Sequence, residues 1–395
     1  MRIVHVTDGF LPRLGGIERQ VDGLSRAQAA AGHDVEIITS VPTDAAVADS
    51  AVADSAVADS GVVVRRPTSR ASVSGPVVPI RWRHCLAGAR TAEAGRYDVV
   101  HVHASSFSPL AFRTAQRMAG RQPVALTLHS LWDWATPVFR TADAVLGWRR
   151  WPVAWSAVSQ VAAGELRAVL GDSAAVSVLP NAIDVQRWAP RPTVPAVTRT
   201  LELVSTMRLA RRKRPVPLLR MVAELRRRRP EGADVRLHLV GDGPAAAELR
   251  RAAAELGLEL VMHGALAPDA IAALYRTCHL YLAPAPLESF GLAALEARAV
   301  GLPVVAFAGS GVADFVADGV NGLLVGDDAA MVSAMLRLTE DAELRQRISR
   351  HNAATPIRQD WPSAVEAAGE LYRRAAGIGE GARAGRVPVT VGAGR

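Results

Sequence analysis

Short apolar runs rich in β-branched residues alternate with longer amphipathic segments along most of the chain. Near the start, residues 2–7 (RIVHVT) have the pattern of a buried strand, and residues 17–32 (IERQVDGLSRAQAAAG) that of a helix ending at a glycine. Residues 33–39 (HDVEIIT) then have the pattern of a second strand. Strands that alternate with helices are typical of a parallel sheet covered by helices on both faces. The pattern therefore predicts an α/β fold.

The alternation occurs in two series. After the opening, the first series continues with the strand patterns VVVRRP, YDVVHVHA, PVALTLHS and AVSVLPN, and the second consists of LELVSTM, VRLHLVGDG, LELVMHGAL, LYLAPAP, PVVAFAG and GLLVGD. The proline-rich stretch 190–195 is the predicted linker. We expect two doubly wound Rossmann-like domains, residues 1–190 and 191–360, with the ligand in a cleft between them at the carboxyl ends of the strands.

Three segments lie outside this alternation. The pentapeptide AVADS occurs three times in residues 46–60, which predicts a surface insertion without chemistry. Residues 361–376 (WPSAVEAAGELYRRAA) predict a closing helix, and the glycine-rich residues 377–395 predict a disordered tail.

Composition narrows the class of protein. No run of eighteen apolar residues predicts a membrane-spanning helix, and the apolar run at the N-terminus is too short for a signal peptide. The two cysteines, Cys85 and Cys278, provide neither a disulfide framework nor metal-ligand spacing, which favours the cytoplasm. A formal net charge of +8 favours anionic partners such as nucleotide diphosphates or phospholipid headgroups. Nucleic acid is not an expected partner, because no nucleic-acid-binding motif is present.

The strongest chemical signal lies in residues 284–309 (PAPLESFGLAALEARAVGLPVVAFAG). A strand ends before Glu288, a helix is predicted to begin near Gly291, and Glu296 lies inside that helix. Free backbone amides at a helix start bind anions, and a glycine there lets a phosphate approach the backbone. Three residues are predicted to supply these donor-binding amides: Phe290, Gly291 and Leu292. Taken singly, each glutamate has an alternative interpretation as an ordinary helical residue without a ligand.

Together, these residues resemble the E-(x)7-E signature of retaining GT-B glycosyltransferases, in particular glycosyltransferase family 4 (group 1). The resemblance implies the GT-B fold, in which two Rossmann-like domains face a central cleft. It also implies that Glu288 contacts the transferred sugar, that Glu296 holds the ribose, and that the intervening amides bind the diphosphate.

A second element of the resemblance is STMRLARRKRP, in which Arg208 and Lys213 match a family arginine and lysine. Two cations at this spacing would clamp the leaving diphosphate. Met207 departs from the family, which usually has glycine there, so the geometry of the turn stays open. The neighbouring arginines are expected to be solvated surface residues: Arg211, Arg212 and Arg214.

Two glycine-rich turns match the family in position. LPRLGGIERQV places Gly15 and Gly16 at the start of the first helix, where Gly16 would approach the donor, and this is not the G-x-G-x-x-G pattern of nicotinamide enzymes. LVGDGP places Gly241 and Gly243 after a strand of the second series, where they would make room for the nucleotide.

The first half provides the acceptor side in this family. His129 aligns with a family histidine that reaches the transferred sugar, although a histidine at a strand end is often purely structural. His103 is a further acceptor-side candidate. Trp132 and Trp134 begin a cluster of five tryptophans that would stack on a sugar, meet a lipid interface, or line a core between helices.

The resemblance implies retention of configuration and no metal or other cofactor. No covalent nucleophile stands out, so the leaving diphosphate itself would take the proton of the acceptor. The pair Asp327–Asp328 lies in a predicted late turn rather than at a strand end, and no metal ligands are expected. The donor would be a UDP- or GDP-sugar and the acceptor a lipid, a glycan or a small molecule. The sequence names neither the sugar nor the base.

Two alternatives remain open. A sugar-nucleotide isomerase of the UDP-N-acetylglucosamine 2-epimerase kind would bind the same donor, and so would a non-catalytic sugar-nucleotide-binding protein. The basic segment Trp148–Trp151 (WRRW) also predicts a cytoplasmic enzyme that docks peripherally on the inner face of the membrane, through arginines at headgroups and rings at the interface.

Overall fold

The structure, a computed structural model, describes residues 1–12, 15–41, 61–66, 82–172, 174–190, 199–229 and 234–384. The AVADS repeat at residues 46–60 lies outside the described residues, so the prediction of a surface insertion stays untested. The chain divides into two compact units. The first contains Met1–Ala182 and the segment that begins at Trp361, and the second contains Ile183–Asp360.

The first unit is a parallel sheet with helices. Its described strands follow the order β3-β2-β1-β4-β5-β6-β7. The strand bounds are β1 Arg2–Thr7, β2 Asp34–Thr39, β3 Val62–Arg65, β4 Val99–Ala104, β5 Val124–Leu128, β6 Ala154–Ala157 and β7 Val176–Val178. The helix bounds are α1 Gly16–Ala30, α2 Trp82–Ala94, α3 Pro109–Met118, α4 Thr136–Leu146 and α5 Gln160–Leu170.

The centre of this sheet is covered on both faces. Every residue of β4 and of β5 is buried, so apolar residues occur on both faces of these strands and the two histidines of β4 are buried as well. Strand β6 was not predicted, because its sequence AWSA has low strand propensity. Pairing with β5 on one side and with β7 on the other holds it in the sheet.

The second unit repeats this plan with six described strands in the order β10-β9-β8-β11-β12-β13, all parallel. The strand bounds are β8 Thr200–Thr206, β9 Asp234–Val240, β10 Glu259–Gly264, β11 Leu280–Ala283, β12 Val304–Phe307 and β13 Gly322–Val325. The helix bounds are α6 Pro215–Arg228, α7 Ala246–Glu255, α8 Pro268–Thr277, α9 Leu292–Ala299, α10 Asp328–Glu340 and α11 Ala342–Ala354.

The divide between the units lies at Ala182 and Ile183 rather than at residue 190. The stretch 183–190 belongs to the second unit because the Ile183 amide donates to the carbonyl of Gln359 and the Trp188 ring packs on Tyr275. Most of the predicted proline-rich linker lies outside the described residues.

The last helix, α12, spans Trp361–Ala384 and returns to the first unit. It is longer than the predicted 361–376, so the predicted disordered tail is wrong for residues 377–384. Its apolar face, including Leu371 and Tyr372, packs against the first sheet and extends the core there. In the described part of the chain, no helix is both long and apolar enough to cross a bilayer.

Each sheet has a point at which the strand order reverses. In the first unit it lies between β1 and β4, and in the second between β8 and β11. The loops that leave these strands at their carboxyl ends diverge to opposite faces, and a crevice for ligands forms between them. The loops after β8 and β11 contain Arg208, Lys213 and Glu288, three of the residues singled out in the sequence.

Candidate functional site

An ion pair joins the two loops at the switch point of the second unit. The Nζ of Lys213 donates to Oε2 of Glu288 over 2.5 Å, and the two side chains are 22% and 21% exposed. Partial exposure leaves both groups accessible to a ligand. A negatively charged ligand would compete with Glu288 for this ammonium group.

Arg208 lies on the same loop, with an exposed side chain. No described residue pairs with its guanidinium, so it is available to an anion. Met207, where the family usually has glycine, has no left-handed backbone: among the described residues other than glycine, positive φ occurs at Asp133 and Arg214. A side chain is therefore tolerated at residue 207, and the turn that brings Arg208 to the loop is intact.

Gly241 and Gly243, after β9, contact this same turn. A Cβ on Gly241 would lie 2.0 Å from the Met207 carbonyl oxygen, and a Cβ on Gly243 would lie 2.5 Å from that of Leu209. The space that the missing side chains leave is filled by the backbone of residues 207–209. These glycines therefore let the Arg208 segment pack closely, and the room that they would make for the nucleotide stays a prediction.

Arg214 was expected to be a solvated surface residue, and this expectation is wrong. Its guanidinium forms a bidentate pair with Asp328 at 2.8 and 2.7 Å and also donates to the carbonyl of Pro284 at 3.2 Å. Its backbone is left-handed, with φ of 57°. Arg214 therefore ties the loop after β8 to the loop after β11 and to the start of α10.

The start of α9 has backbone amides without an acceptor among the described residues. Gly291 has φ of 93°, which favours glycine, and a Cβ there would lie 2.5 Å from Val312 and 3.5 Å from the side chain of Glu288. In the described part of the chain, no acceptor is found for three backbone amides at this end: Phe290, Gly291 and Leu292. These amides adjoin the Glu288–Lys213 pair, and free amides at a helix start favour an anion.

The remaining carboxylates of this region differ in environment. Glu296, inside α9, is only 7% exposed. Asp327 caps α10 by accepting from the Ala330 amide at 2.7 Å, and Asp328 pairs with Arg214. Both aspartates therefore have structural partners.

In the first unit, Gly15 caps α1 and Gly16 is its first residue. A Cβ on Gly15 would overlap the carboxylate of Glu18, and one on Gly9 would lie 2.9 Å from it. The glycines thus let the buried Glu18 fold back over the helix start.

His129 follows β5 and belongs to a row of buried histidines. Its Nε2 lies 2.9 Å from Nδ1 of His103, and Nε2 of His103 lies 2.9 Å from Nδ1 of His5. His101 lies beside this row, with its ring centroid 4.1 Å from that of His103. Burial lowers the pKa of His5 and of His129 to about 4, so these rings are neutral at pH 7.

The rings of His5, His101 and His103 are close enough to share a metal ion. Every ring nitrogen of the three already has a hydrogen-bond partner within 2.9 Å. The arrangement is therefore that of a hydrogen-bonded network. Sequence reasoning missed His5 as a member. The spacing of His101 and His103, which places both on one face of β4 beside the equivalent position of β1, was the available signal.

Trp132 and Trp148, two members of the tryptophan cluster, lie in a core rather than on a stacking surface. Trp132 is 2% exposed and stacks on Phe139 with ring centroids 4.1 Å apart, and the buried Trp148 stacks on Phe112 at 4.6 Å. These rings cannot stack on a sugar or lie at a lipid interface while they are covered, so the predicted acceptor-side role of Trp132 is not supported. Trp134 lies in a short 3₁₀ turn, and its side chain is outside the described part of the structure.

Two Rossmann-like units with parallel sheets define the GT-B class of glycosyltransferases. Two solved structures share this fold over nearly the whole chain. HepE of Anabaena, in complex with UDP and glucose, has a TM-score of 0.72 at 20% identity and covers 94% of this chain and 99% of its own. Sucrose-phosphate synthase of Thermosynechococcus elongatus has a TM-score of 0.73 at 19% identity and covers 95% and 99%.

The family models agree. The model described as Glycosyltransferase Family 4 matches residues 14–187, and the one described as Glycosyl transferases group 1 matches residues 187–354. A GDP-mannose-dependent alpha-(1-6)-phosphatidylinositol monomannoside mannosyltransferase of Mycolicibacterium smegmatis is 32% identical over 67% of this chain and 70% of its own length. A D-inositol 3-phosphate glycosyltransferase of Frankia alni is 29% identical over 91% and 95%. The chain belongs to glycosyltransferase family 4, group 1, and is a glycosyltransferase.

Proposed function

We propose that this enzyme transfers a hexosyl group from a nucleotide diphosphate sugar to a phosphoinositol-containing acceptor, with retention of configuration and without a metal ion. GDP-mannose is the donor to test first. The single observation that carries the proposal is the Lys213–Glu288 pair beside the free amides of α9. This arrangement offers positive charge to a diphosphate and a carboxylate to the adjoining sugar.

The proposed reaction is a same-face displacement. Arg208, Lys213 and the α9 amides stabilise charge as the bond between the sugar and the diphosphate breaks. The leaving diphosphate oxygen takes the proton of the acceptor hydroxyl, which then bonds to the anomeric carbon on the face that the diphosphate leaves. Glu288 is engaged with Lys213 and orients the sugar, so no covalent sugar–enzyme intermediate is required. The cations and the helix start take the place of a metal ion.

The choice of acceptor rests on the relatives. The names of both relatives contain an inositol phosphate group, one as a lipid and the other as a free compound. A lipid acceptor agrees with an apolar patch on α4. Its outer side chains Val138, Val145 and Leu146 are 63%, 78% and 48% exposed, and Arg150 lies exposed in the turn that follows.

The test is acceptor-dependent release of GDP or UDP in the presence of EDTA. GDP-mannose, UDP-glucose and UDP-N-acetylglucosamine are each offered with D-inositol 3-phosphate and with phosphatidylinositol monomannoside, and the product anomer is read by NMR. We expect one donor–acceptor pair to give an α-linked product at a rate that EDTA does not change. A β-linked product, or loss of activity that only added Mg²⁺ or Mn²⁺ restores, contradicts the proposed mechanism. Epimerised donor without transfer identifies an isomerase.

Membrane docking is tested separately, by co-sedimentation with vesicles that contain phosphatidylglycerol. Arg149 is not a suitable position for this test, because it pairs with the buried Asp143, whose Oδ1 accepts from the Arg149 amide at 2.8 Å. Substitution of Arg149 would disturb folding. Val138→Ser with Val145→Ser is expected to reduce binding, and Arg150→Glu to reduce it mainly at low salt. Wild-type protein that stays in the supernatant at low salt excludes docking.

A further inference from the structure

A hydrogen-bonded chain of polar side chains runs through the first unit, and the bond that Ser156 donates at one end sets its direction. It begins at Ser156, whose hydroxyl donates to the carbonyl of Leu126 at 3.1 Å. A carbonyl oxygen only accepts, and a serine has one proton to donate. The contact of 2.7 Å between Ser156 and Thr127 therefore has Thr127 as the donor.

The same reasoning assigns the donor and the acceptor of each hydrogen bond as far as α12. With its proton used, Thr127 accepts from Nε2 of His101 at 2.7 Å. A neutral imidazole has one N–H, so Nδ1 of His101 is the acceptor and receives the proton of the Tyr372 hydroxyl at 2.9 Å. The Tyr372 oxygen in turn accepts from the side-chain amide of Gln28 at 2.9 Å. This contact orients Gln28 with its oxygen toward His5.

From Gln28 the chain continues to the candidate site. The Gln28 oxygen accepts from Nε2 of His5 at 2.7 Å. Nδ1 of His5 then accepts from Nε2 of His103, and Nδ1 of His103 accepts from Nε2 of His129, both at 2.9 Å. His129 is left with its proton on Nε2 and a lone pair on Nδ1. That Nδ1 atom is buried and has no partner among the described residues.

This assignment of donors and acceptors requires neutral imidazole rings, and burial keeps the rings neutral. Desolvation lowers the pKa of His5 and of His129 to about 4, and it lowers the pKa of His101 and of His103 well below the usual value. At pH 7 each ring carries one proton, and each nitrogen is either a donor or an acceptor.

We infer that Gln28 and Tyr372 are positioning residues that hold His129 as the Nε2-protonated tautomer, so that its Nδ1 accepts a hydrogen bond from a sugar hydroxyl. His129 lines a small pocket together with Gln20 and Asn181. The assignment of the His129 tautomer does not depend on the proposed function, whereas the hydrogen bond from a sugar hydroxyl to Nδ1 rests on the proposed function. A ligand group that only accepts hydrogen bonds is disfavoured at this atom.

Removal of the Tyr372 hydroxyl interrupts this chain of hydrogen bonds and so tests the inference. Without this hydroxyl the Gln28 amide is free to turn over and offer its NH₂ group to His5. Every histidine in the row would then reverse, and His129 would carry its proton on Nδ1. We therefore expect Tyr372→Phe to give a mixture of His129 tautomers, and Thr127→Val, earlier in the chain, provides a second variant.

The experiment is NMR of full-length protein labelled with ¹⁵N histidine, with His129→Gln used to assign the signals of His129. In the wild type we expect a protonated Nε2 and an unprotonated Nδ1. Tyr372→Phe should shift both signals toward their average, while Tyr275→Phe, which removes a buried hydroxyl of the second unit, should leave them unchanged. A protonated Nδ1 in the wild type, or unchanged signals in both Tyr372→Phe and Thr127→Val, overturns the inference.

Activity provides a second readout. Tyr372→Phe should lower kcat in proportion to the fraction of His129 that loses the Nδ1 lone pair. In the His129→Gln background the same change should alter kcat by less than about twofold, because the two residues act through one atom. Equal losses in both backgrounds would mean that Tyr372 acts through stability alone. An enzyme that is inactive with every donor leaves the NMR result standing, so failure of the proposed function is seen separately.

Discussion

The two units have the same kind of sheet but hold their polar groups in opposite ways. In the first unit, histidines on the central strands, including His5 and His103, lie within the protein, uncharged and hydrogen-bonded to each other. In the second unit, Lys213 and Glu288 lie on loops beyond the strand ends, paired and each about a fifth exposed.

The difference follows from where each group is attached. A side chain on a central strand is covered on both faces, so a charge there is costly and the neutral form is favoured. A side chain on a loop at the switch point keeps contact with water and can pair with an opposite charge, as Lys213 and Glu288 do. One topology thus provides a neutral hydrogen-bonding site in the first unit and a charged site in the second, which suit a hydroxyl and a diphosphate respectively.

The largest expected effect is the acid sensitivity of the first unit. The folded-state pKa of each histidine in the network lies below its unfolded value of about 6.5, so the unfolded chain takes up protons first as the pH falls. Buried Asp8 opposes this, because burial raises its pKa to about 6. With four histidines against one aspartate, the free energy of unfolding should fall by up to about 4 kcal/mol per pH unit between pH 6 and 5.

Tryptophan fluorescence can report on the unfolding of the first unit alone. Trp188 is the one tryptophan of the second unit in the sequence, so Trp188→Phe leaves a signal from the first unit alone. Urea unfolding of this variant at pH 7.5, 6 and 5 gives the slope. A stability that does not change between pH 6 and pH 5 would show that the histidines are protonated in the folded protein.

The next largest effect is expected when a cation of the charged site, Lys213 or Arg208, is removed. Lys213→Ala and Arg208→Ala should each lower kcat by about 10²-fold, the usual effect of removing one preorganised donor at developing charge. Arg212→Ala is the matched control, since it removes an exposed cation from the same turn and should leave kcat within about twofold. Near-normal turnover in both Lys213→Ala and Arg208→Ala would place the diphosphate elsewhere.

A smaller effect concerns the backbone that supports this charged site. Gly291→Ala forces a side chain into a left-handed conformation and toward Val312, so we expect a loss of about 1–2 kcal/mol in the stability of the second unit. Gly309→Ala is the control, because no atom lies within 4 Å of its Cβ position and its φ is not positive. Both are measured by thermal unfolding, and equal midpoints for the two variants would contradict the described helix start.

The smallest effect should come from the AVADS repeat. Deletion of residues 46–60 is expected to change the melting temperature and turnover little, because loop length costs stability only logarithmically. A fall of several degrees would show that the repeat packs on the body of the protein.

The sequence predicted the alternation of strands with helices. It also predicted the residues of the charged site, because Glu288, Lys213 and Arg208 belong to contiguous segments that resemble a family motif. It did not predict the histidine network, whose members His5 and Tyr372 are far apart in the chain and meet only when α12 packs on the first sheet. The sequence left both roles of Trp132 open, because composition does not distinguish a ring that binds a ligand from one that fills a core. Both points concern tertiary packing.

The most direct test of the division between a neutral and a charged unit is calorimetric titration of the protein with UDP and with GDP. We predict that Lys213→Ala weakens binding of whichever nucleotide the wild type prefers by at least about tenfold, since a charge-assisted hydrogen bond contributes roughly 1.5–3 kcal/mol. His129→Gln should leave that affinity within about twofold. Equal weakening by both variants, or a larger loss with His129→Gln, would contradict the assignment of the diphosphate to the second unit.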